Sequence, residues 1–175
     1  MPPGIDAGRM DKMDHTIAQV SKGDGDAVID IFNYYVENSF AAYPEDPVPH
    51  QFFDAFLSMS AGYPFLVAKD GEGDVLGFAL LRPHSPMPVF SRTAEIACFI
   101  APQHVGKGMG KAMQEQLLQV ASEKGITSIL AGISSLNSAS LAFHKKRGFQ
   151  ECGRFLKIGR KWGQDFDVVW MQKMI

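Results

Sequence analysis

The sequence predicts an α+β sandwich, one domain in which about four helices flank a mixed sheet. Three observations carry that expectation. A composition of 46% hydrophobic and 21% charged residues over 175 positions is that of an ordinary soluble domain long enough to bury a proper core. Two apolar runs, at 65–69 and 75–81, flank Asp70-Gly71-Glu72-Gly73-Asp74, a turn composition that reads as an antiparallel hairpin. Further along, an apolar run ending at Phe99 and Ile100 passes through Pro102 to Gly106, Gly108 and Gly110 and then into a helical pattern, the order strand, turn, helix.

Taken in order, residues 1–14 have no periodicity and read as a flexible tail, so the domain is expected over 15–175. Residues 16–20 alternate like a first strand. Ser21 then opens a helix whose apolar positions Ala27, Val28, Ile31, Phe32, Tyr35 and Val36 follow the 3.6 period and which ends near Asn38. The stretch 39–49 carries Pro44, Pro47 and Pro49 and must be a loop, of a length that tends to carry function. A short helix at 51–59 precedes the hairpin, and a Pro-rich excursion at 82–88 precedes a strand at 93–100. The central helix aligns Met109, Ala112, Met113, Leu117, Val120 and Ala121 on one face and stops at Gly125. A buried strand at 127–133 follows. Asn137 or Ser138 then caps a helix through Arg147 that stops at Gly148, and strands near 149–158 and 166–172 close the chain.

Composition narrows the function. With a net charge of −2, the chain lacks the basic excess of a nucleic-acid binder, and Lys145-Lys146-Arg147 reads as the last turn of a helix, where cations meet the negative dipole end. Cys98, inside an apolar strand, and Cys152 offer neither a disulfide framework nor metal-ligand spacing, so no metal is expected. No run approaches the ~20 apolar residues of a membrane span, and the N-terminus lacks an apolar signal region. A cytoplasmic protein without membrane or nucleic-acid partners is expected.

The glycine turn is where chemistry enters. The first N–H groups of a helix have no intrahelical acceptor and sit at the positive end of its dipole, so a bare turn in front of them suits phosphate oxygens. A Walker A loop would need Gly at Val105 and Ser or Thr at Ala112, and a dinucleotide fingerprint a third Gly at Lys111 or Met113. Neither fits. Val105-Gly106-Lys107-Gly108-Met109-Gly110, running on into Lys111, instead resembles the acyl-CoA-binding turn of the GCN5-related N-acetyltransferase (GNAT) superfamily, with Val105 in a place usually held by Arg or Gln. A second register, from Gln103 to Gly108, matches literally but lies two residues nearer the strand; the first is preferred because Lys111 onward then reads as helix interior. The stretch NSASLAFHKKRGF at 137–149 is similar to the superfamily's Asn-bearing loop and helix, with His144 in the usual Tyr place. Residues 33–47 and 159–173 resemble the phosphinothricin and methionine-sulfoximine acetyltransferase subgroup, so the likeness runs from about Asp30 to the end of the chain.

The resemblance implies a mostly antiparallel GNAT-like sheet, acetyl-CoA as co-substrate with no metal, direct attack by the amine of an amino-acid-like small molecule in a ternary complex, and a homodimer. It also implies that the backbone of Cys98, Phe99 and Ile100 pairs with the pantetheine amides, that Asn137 and Ser140 hold the same arm, and that His144 protonates the departing thiolate. Alternation puts Glu95, Ala97 and Phe99 on one strand face, a carboxylate among apolar neighbours where burial raises its pKa toward that of a general base. The subgroup keeps Glu at that place. Met87 and Asp165 stand where the subgroup commonly has Arg and Trp, so Arg82 or Arg92 is expected to meet the substrate, beside Tyr43 and Phe90. Acetylation of a protein N-terminus or lysine is the alternative if loop 82–88 leaves an open groove. A non-catalytic acyl-CoA module is a further one, against which Glu95 argues. The apolar closing stretch Val168-Val169-Trp170-Met171 is expected to carry the dimer contact.

Overall fold

The computed structural model describes residues 15–175; the expected tail lies outside them. In chain order the elements are β1 (Thr16–Gln19), α1 (Gly25–Asn38), α2 (Phe53–Met59), β2 (Phe65–Lys69), β3 (Val75–Pro83), β4 (Thr93–Ile100), α3 (Met109–Glu123), β5 (Ser128–Ser134), α4 (Ser138–Lys146), β6 (Gln150–Lys161) and β7 (Gln164–Met174). The strands make one seven-stranded sheet in the order β1-β2-β3-β4-β5-β7-β6, antiparallel at every neighbour except β4 and β5. This is the mixed, mostly antiparallel sheet with four helices that the sequence predicts.

Period-two alternation along β4 distributes its side chains between two cores. Ile96, Cys98 and Ile100 pack with the cluster that holds Met109, Met113 and Leu117 of α3. Ala97 and Phe99 pack with Val28, Ile29 and Phe32 of α1 and Phe56 of α2. The sheet is thus covered on both faces, and β4 lies at its centre.

The entry to α1 differs from expectation by one turn: a 3-10 turn, Lys22–Asp24, precedes the helix proper. Asp24 accepts from the backbone N–H and the hydroxyl of Ser21, both at 2.8 Å, and pairs with Lys69 of β2 at 2.6 Å. Burial acts to raise the Asp24 carboxyl, but Lys69 and Ser21 outweigh it and hold it below the ordinary value.

The feature that shapes the functional region is the parallel pair. β4 and β5 are in register only from Thr93↔Ser128 to Glu95↔Leu130, while their outer edges stay paired further, β4 with β3 to Ile100 and β5 with β7 to Ser134. The inner edges therefore diverge, leaving peptide groups on facing strands without a strand partner.

The closing hairpin is longer than expected. β6 has 12 residues and β7 has 11, joined through Trp162 (φ 49°) and Gly163 (φ 75°). Nearly every β6 residue is exposed, so no alternation marks its end in the sequence. The closing stretch packs Val169 and Met171 in the α3-side core, and an exposed apolar surface lies on the strand beside it. That surface is on β6, at Phe155, Leu156 and Ile158.

Candidate active site

The divergence of β4 and β5 opens a cleft of about 100 Å³. Ala97, Cys98 and Phe99 form one wall, Gly132, Ile133 and Ser134 the other, α4 contributes Asn137, Ser140 and His144, and Ala41 reaches in from the loop after α1. Expected coenzyme residues Cys98, Phe99, Asn137 and Ser140 are thereby brought together with the expected catalytic His144. The carbonyl of Ile100, next along the strand, accepts from the Tyr35 hydroxyl at 2.5 Å.

Beyond Ile100 the chain enters the glycine turn. Gly106 (φ 81°) and Gly108 (φ 83°) are left-handed, and a Cβ on either would meet nothing within 4 Å, so backbone conformation and not lack of space demands glycine there. Gly108 is the N-cap of α3. Its carbonyl receives the first helical bond, from Ala112 N–H at 3.1 Å, so the N–H groups of Met109, Gly110 and Lys111 have no intrahelical acceptor. The first turn holds no acidic residue, which leaves the positive end of α3 uncompensated from within. Gly110 is different: it lies inside the helix, and a Cβ there would rest 3.6 Å from the Phe143 ring, an ordinary contact. Val105 is exposed at the rim, and Lys107 stands between the two left-handed glycines. The donor set, backbone N–H groups with Lys107 and Lys111, suits an anion such as the phosphates of CoA.

His144 is buried and edge-on to Phe149 at 5.0 Å. Its Nδ1 lies 2.9 Å from the carbonyl of Ser140; a carbonyl only accepts, so Nδ1 carries the hydrogen and Nε2 the lone pair. Burial pulls its pKa below the ordinary value, with the Ser140 bond acting the other way. The expected role, donating a proton to the thiolate, needs a proton that Nε2 does not carry in this resting form. Asn137 uses Oδ1 to cap α4, accepting from Ser140 N–H at 3.2 Å.

Glu95 sits at the last paired position before the strands diverge, with its side chain 13% exposed. The expected apolar surroundings are not found. Oε2 accepts from Arg82 Nε at 3.0 Å and Nη2 at 2.6 Å, and Oε1 lies 2.9 Å from His84 Nδ1. The reason is register: Arg82 on β3 is directly opposite Glu95 on β4, so cross-strand charge pairing decides the neighbourhood. Phe90 stands edge-on to His84 at 5.9 Å. Tyr43 donates to the carbonyl of Gly132 at 3.4 Å; partial burial pushes its phenol up, with Arg82 close enough to act against it. Arg82, Glu95, His84 and Phe90 thus form one connected group, with Tyr43 near Arg82. Of the departures, Met87 is more than half exposed and Asp165 is engaged with Arg160 at 3.2 Å. His84 was missed, although its place two residues after Arg82 is a period-two signal.

Residues 28–149 match the Acetyltransferase (GNAT) family. The chain belongs to the GNAT acetyltransferase family. It is 32% identical over 162 residues, 91% of this chain and 94% of the relative, to the L-methionine sulfoximine/L-methionine sulfone acetyltransferase of Pseudomonas aeruginosa, which sets it in the phosphinothricin-acetyltransferase-like subgroup. Among solved structures it resembles a GNAT phosphinothricin acetyltransferase from Sinorhizobium meliloti in complex with acetyl-CoA, with a TM-score of 0.86 and 27% identity, covering 92% of this chain and 88% of that one. It also resembles the ribosomal-protein-alanine N-acetyltransferase from Brucella melitensis, with a TM-score of 0.85 and 33% identity, covering 91% and 99%. As a GNAT acetyltransferase it uses acetyl-CoA. Among the described residues no group of three His, Cys, Asp or Glu is placed to hold a metal ion, and no helix is long and apolar enough to cross a membrane.

Proposed function

We propose that the protein transfers the acetyl group of acetyl-CoA to the amine of a small amino-acid-like molecule, by direct attack in a ternary complex, as a cytoplasmic homodimer that uses no metal. The observation that carries this reading is the path along β4: the charged cluster on Glu95 lies at the closed end of the cleft and the glycine turn follows its open end.

Acetyl-CoA supplies the activated thioester. The chain's residues do the rest. The N–H groups of Met109, Gly110 and Lys111, with Gly106, Gly108, Val105 and Lys107 shaping the turn, take the phosphates; Asn137, Ser140 and the peptide groups of Cys98, Phe99 and Ile100 take the arm as an added strand would. An amine is mostly protonated at neutral pH and must lose a proton to attack. Glu95 accepts it, its carboxylate oriented by Arg82 and His84, while His144 offers Nε2 near the reacting end as a second acceptor that can return a proton to the thiolate. Cys98 takes no covalent part: burial pushes its thiol up to about 12, so it is un-ionised and a poor nucleophile at neutral pH. Arg82 commits Nε and Nη2 to Glu95, and Nη1 lies 3.9 Å from the Met59 sulfur, a weak acceptor. That donor, with Tyr43 and Phe90 beside it, suits the acid group of an amino-acid-like substrate in place of the Arg absent at Met87.

The likeness to the ribosomal-protein-alanine enzyme favours one second reading, acetylation of a protein N-terminus. Thiol release from acetyl-CoA, measured with methionine sulfone, phosphinothricin, free amino acids and alanine-initiated peptides, separates the two. Turnover with the small molecules is expected. Turnover with peptides alone would establish the second reading, and turnover with none would overturn both.

A further inference from the structure

Lys161, the last residue of β6, is wholly buried, and no step of the proposed chemistry uses it. Its Nζ donates to the carbonyls of Val36 at 2.6 Å, Ser39 at 2.8 Å and Ala42 at 2.8 Å, one acceptor for each of its three protons. Val36 lies in the last turn of α1, where the carbonyls carry the negative end of the helix dipole. Ser39 and Ala42 lie in the loop that follows and bracket Ala41, a residue of the cleft wall. Burial pulls the ammonium below the ordinary lysine value, with Glu45 acting the other way. A buried charge is a costly way to fill space unless every proton is used, and here all three are spent on one segment.

The hairpin tip around it grips the same segment. Trp162 N–H donates to Glu45 at 2.7 Å, and its ring meets Phe40 at 5.5 Å. Phe166, across the hairpin, stacks on Tyr43 at 5.5 Å. β6 is held under that ring: a Cβ on Gly159 would lie 2.1 Å from it, so the register admits only glycine there. Tyr43 in turn donates to Gly132 on the opposite wall of the cleft. The coenzyme turn, α3 and α4 have no part in these contacts.

We propose that Lys161 is a positioning residue for the amine site, fixing the 39–43 wall, and Tyr43 with it, from the tip of the closing hairpin while leaving the glycine turn untouched. The amine-site part of this rests on the proposed acetylation of an amino-acid-like substrate; the positioning of the wall does not.

The test is Lys161→Met, which keeps an unbranched stem and removes the ammonium. In the folded variant, kcat/KM for the best amine is expected to fall between about 10- and 100-fold, mainly through KM, with CoA affinity by calorimetry within about twofold of the parent. Amide hydrogen exchange at residues 39–43 is expected to speed up while that at the start of α3 stays the same, a readout that needs no substrate. Trp162→Ala, which keeps the ammonium, is expected to move KM and exchange in the same direction by less, and it serves if Lys161→Met does not fold. Unchanged exchange at 39–43, unchanged KM, or a loss of CoA affinity in proportion to the loss of turnover overturns the proposal. A wild-type protein inactive on amino acids, with exchange at 39–43 still faster in Lys161→Met, overturns the substrate reading and upholds the positioning of the wall.

Discussion

In the proposed reaction two side chains carry the proton chemistry, and each makes its own prediction. Glu95→Gln keeps the shape and the donors around the carboxyl but removes the acceptor charge, so turnover is expected to fall by about 10² to 10⁴ with CoA affinity unchanged. The deficit should shrink from about pH 6 to 10, because more of the amine is then already neutral; a loss that does not vary with pH would assign Glu95 a structural role. For His144 the sign follows from burial, which lowers its folded pKa. Below the ordinary value of about 6.5 the unfolded chain takes up a proton that the folded one resists, so stability falls as pH drops through that window toward the folded value. His144→Gln removes this contribution, and its Tm is expected to decline less than the parent's between about pH 7 and 5. Parallel Tm curves would show that His144 is as easily protonated in the fold as outside it. Glu95 could be found in the sequence because alternation along one strand is local. Its pairing with Arg82 could not, because the two meet only through the register of β3 on β4, and a register is set by the sheet as a whole.

The turn between β4 and α3 shows how element geometry divides three glycines that look equivalent in the sequence. Gly108→Ala forces a Cβ onto a left-handed N-cap, at a cost of about 1 kcal/mol, and is expected to lower both Tm and CoA affinity, since the first N–H groups of α3 are aimed by that residue. Gly110→Ala occupies a helical position with room beside Phe143 and is expected to hold or raise Tm, as Gly to Ala in a helix is worth about 0.5–1 kcal/mol. Equal losses of Tm in the two variants, followed in thermal melts and CoA calorimetry, would reject this division. The spacing of the glycines made the turn legible from the sequence. The opening it serves was not legible, since the divergence of β4 from β5 is a property of non-local pairing between strands separated by a helix.

At the scale of the molecule, the closing hairpin is the part the sequence described least well, for a physical reason. Strand ends are read from alternation of buried and exposed residues, and a β6 exposed along nearly its whole length offers none. β6 is also the edge of the sheet, with Phe155 55%, Leu156 74% and Ile158 58% exposed. An edge strand bearing adjacent large apolar side chains is a surface that soluble proteins usually cover, and in the proposed homodimer a second copy covers it by two-fold pairing of the same surface. Light scattering at micromolar concentration is expected to give about twice the 19.2 kDa of one chain. Leu156→Glu, which puts like charges opposite each other across a two-fold contact, is expected to return the mass of one chain without changing CoA affinity, because no β6 residue lines the proposed coenzyme cleft. A parent protein that scatters as a single chain would remove the dimer, and a variant that remains dimeric would move the interface off β6.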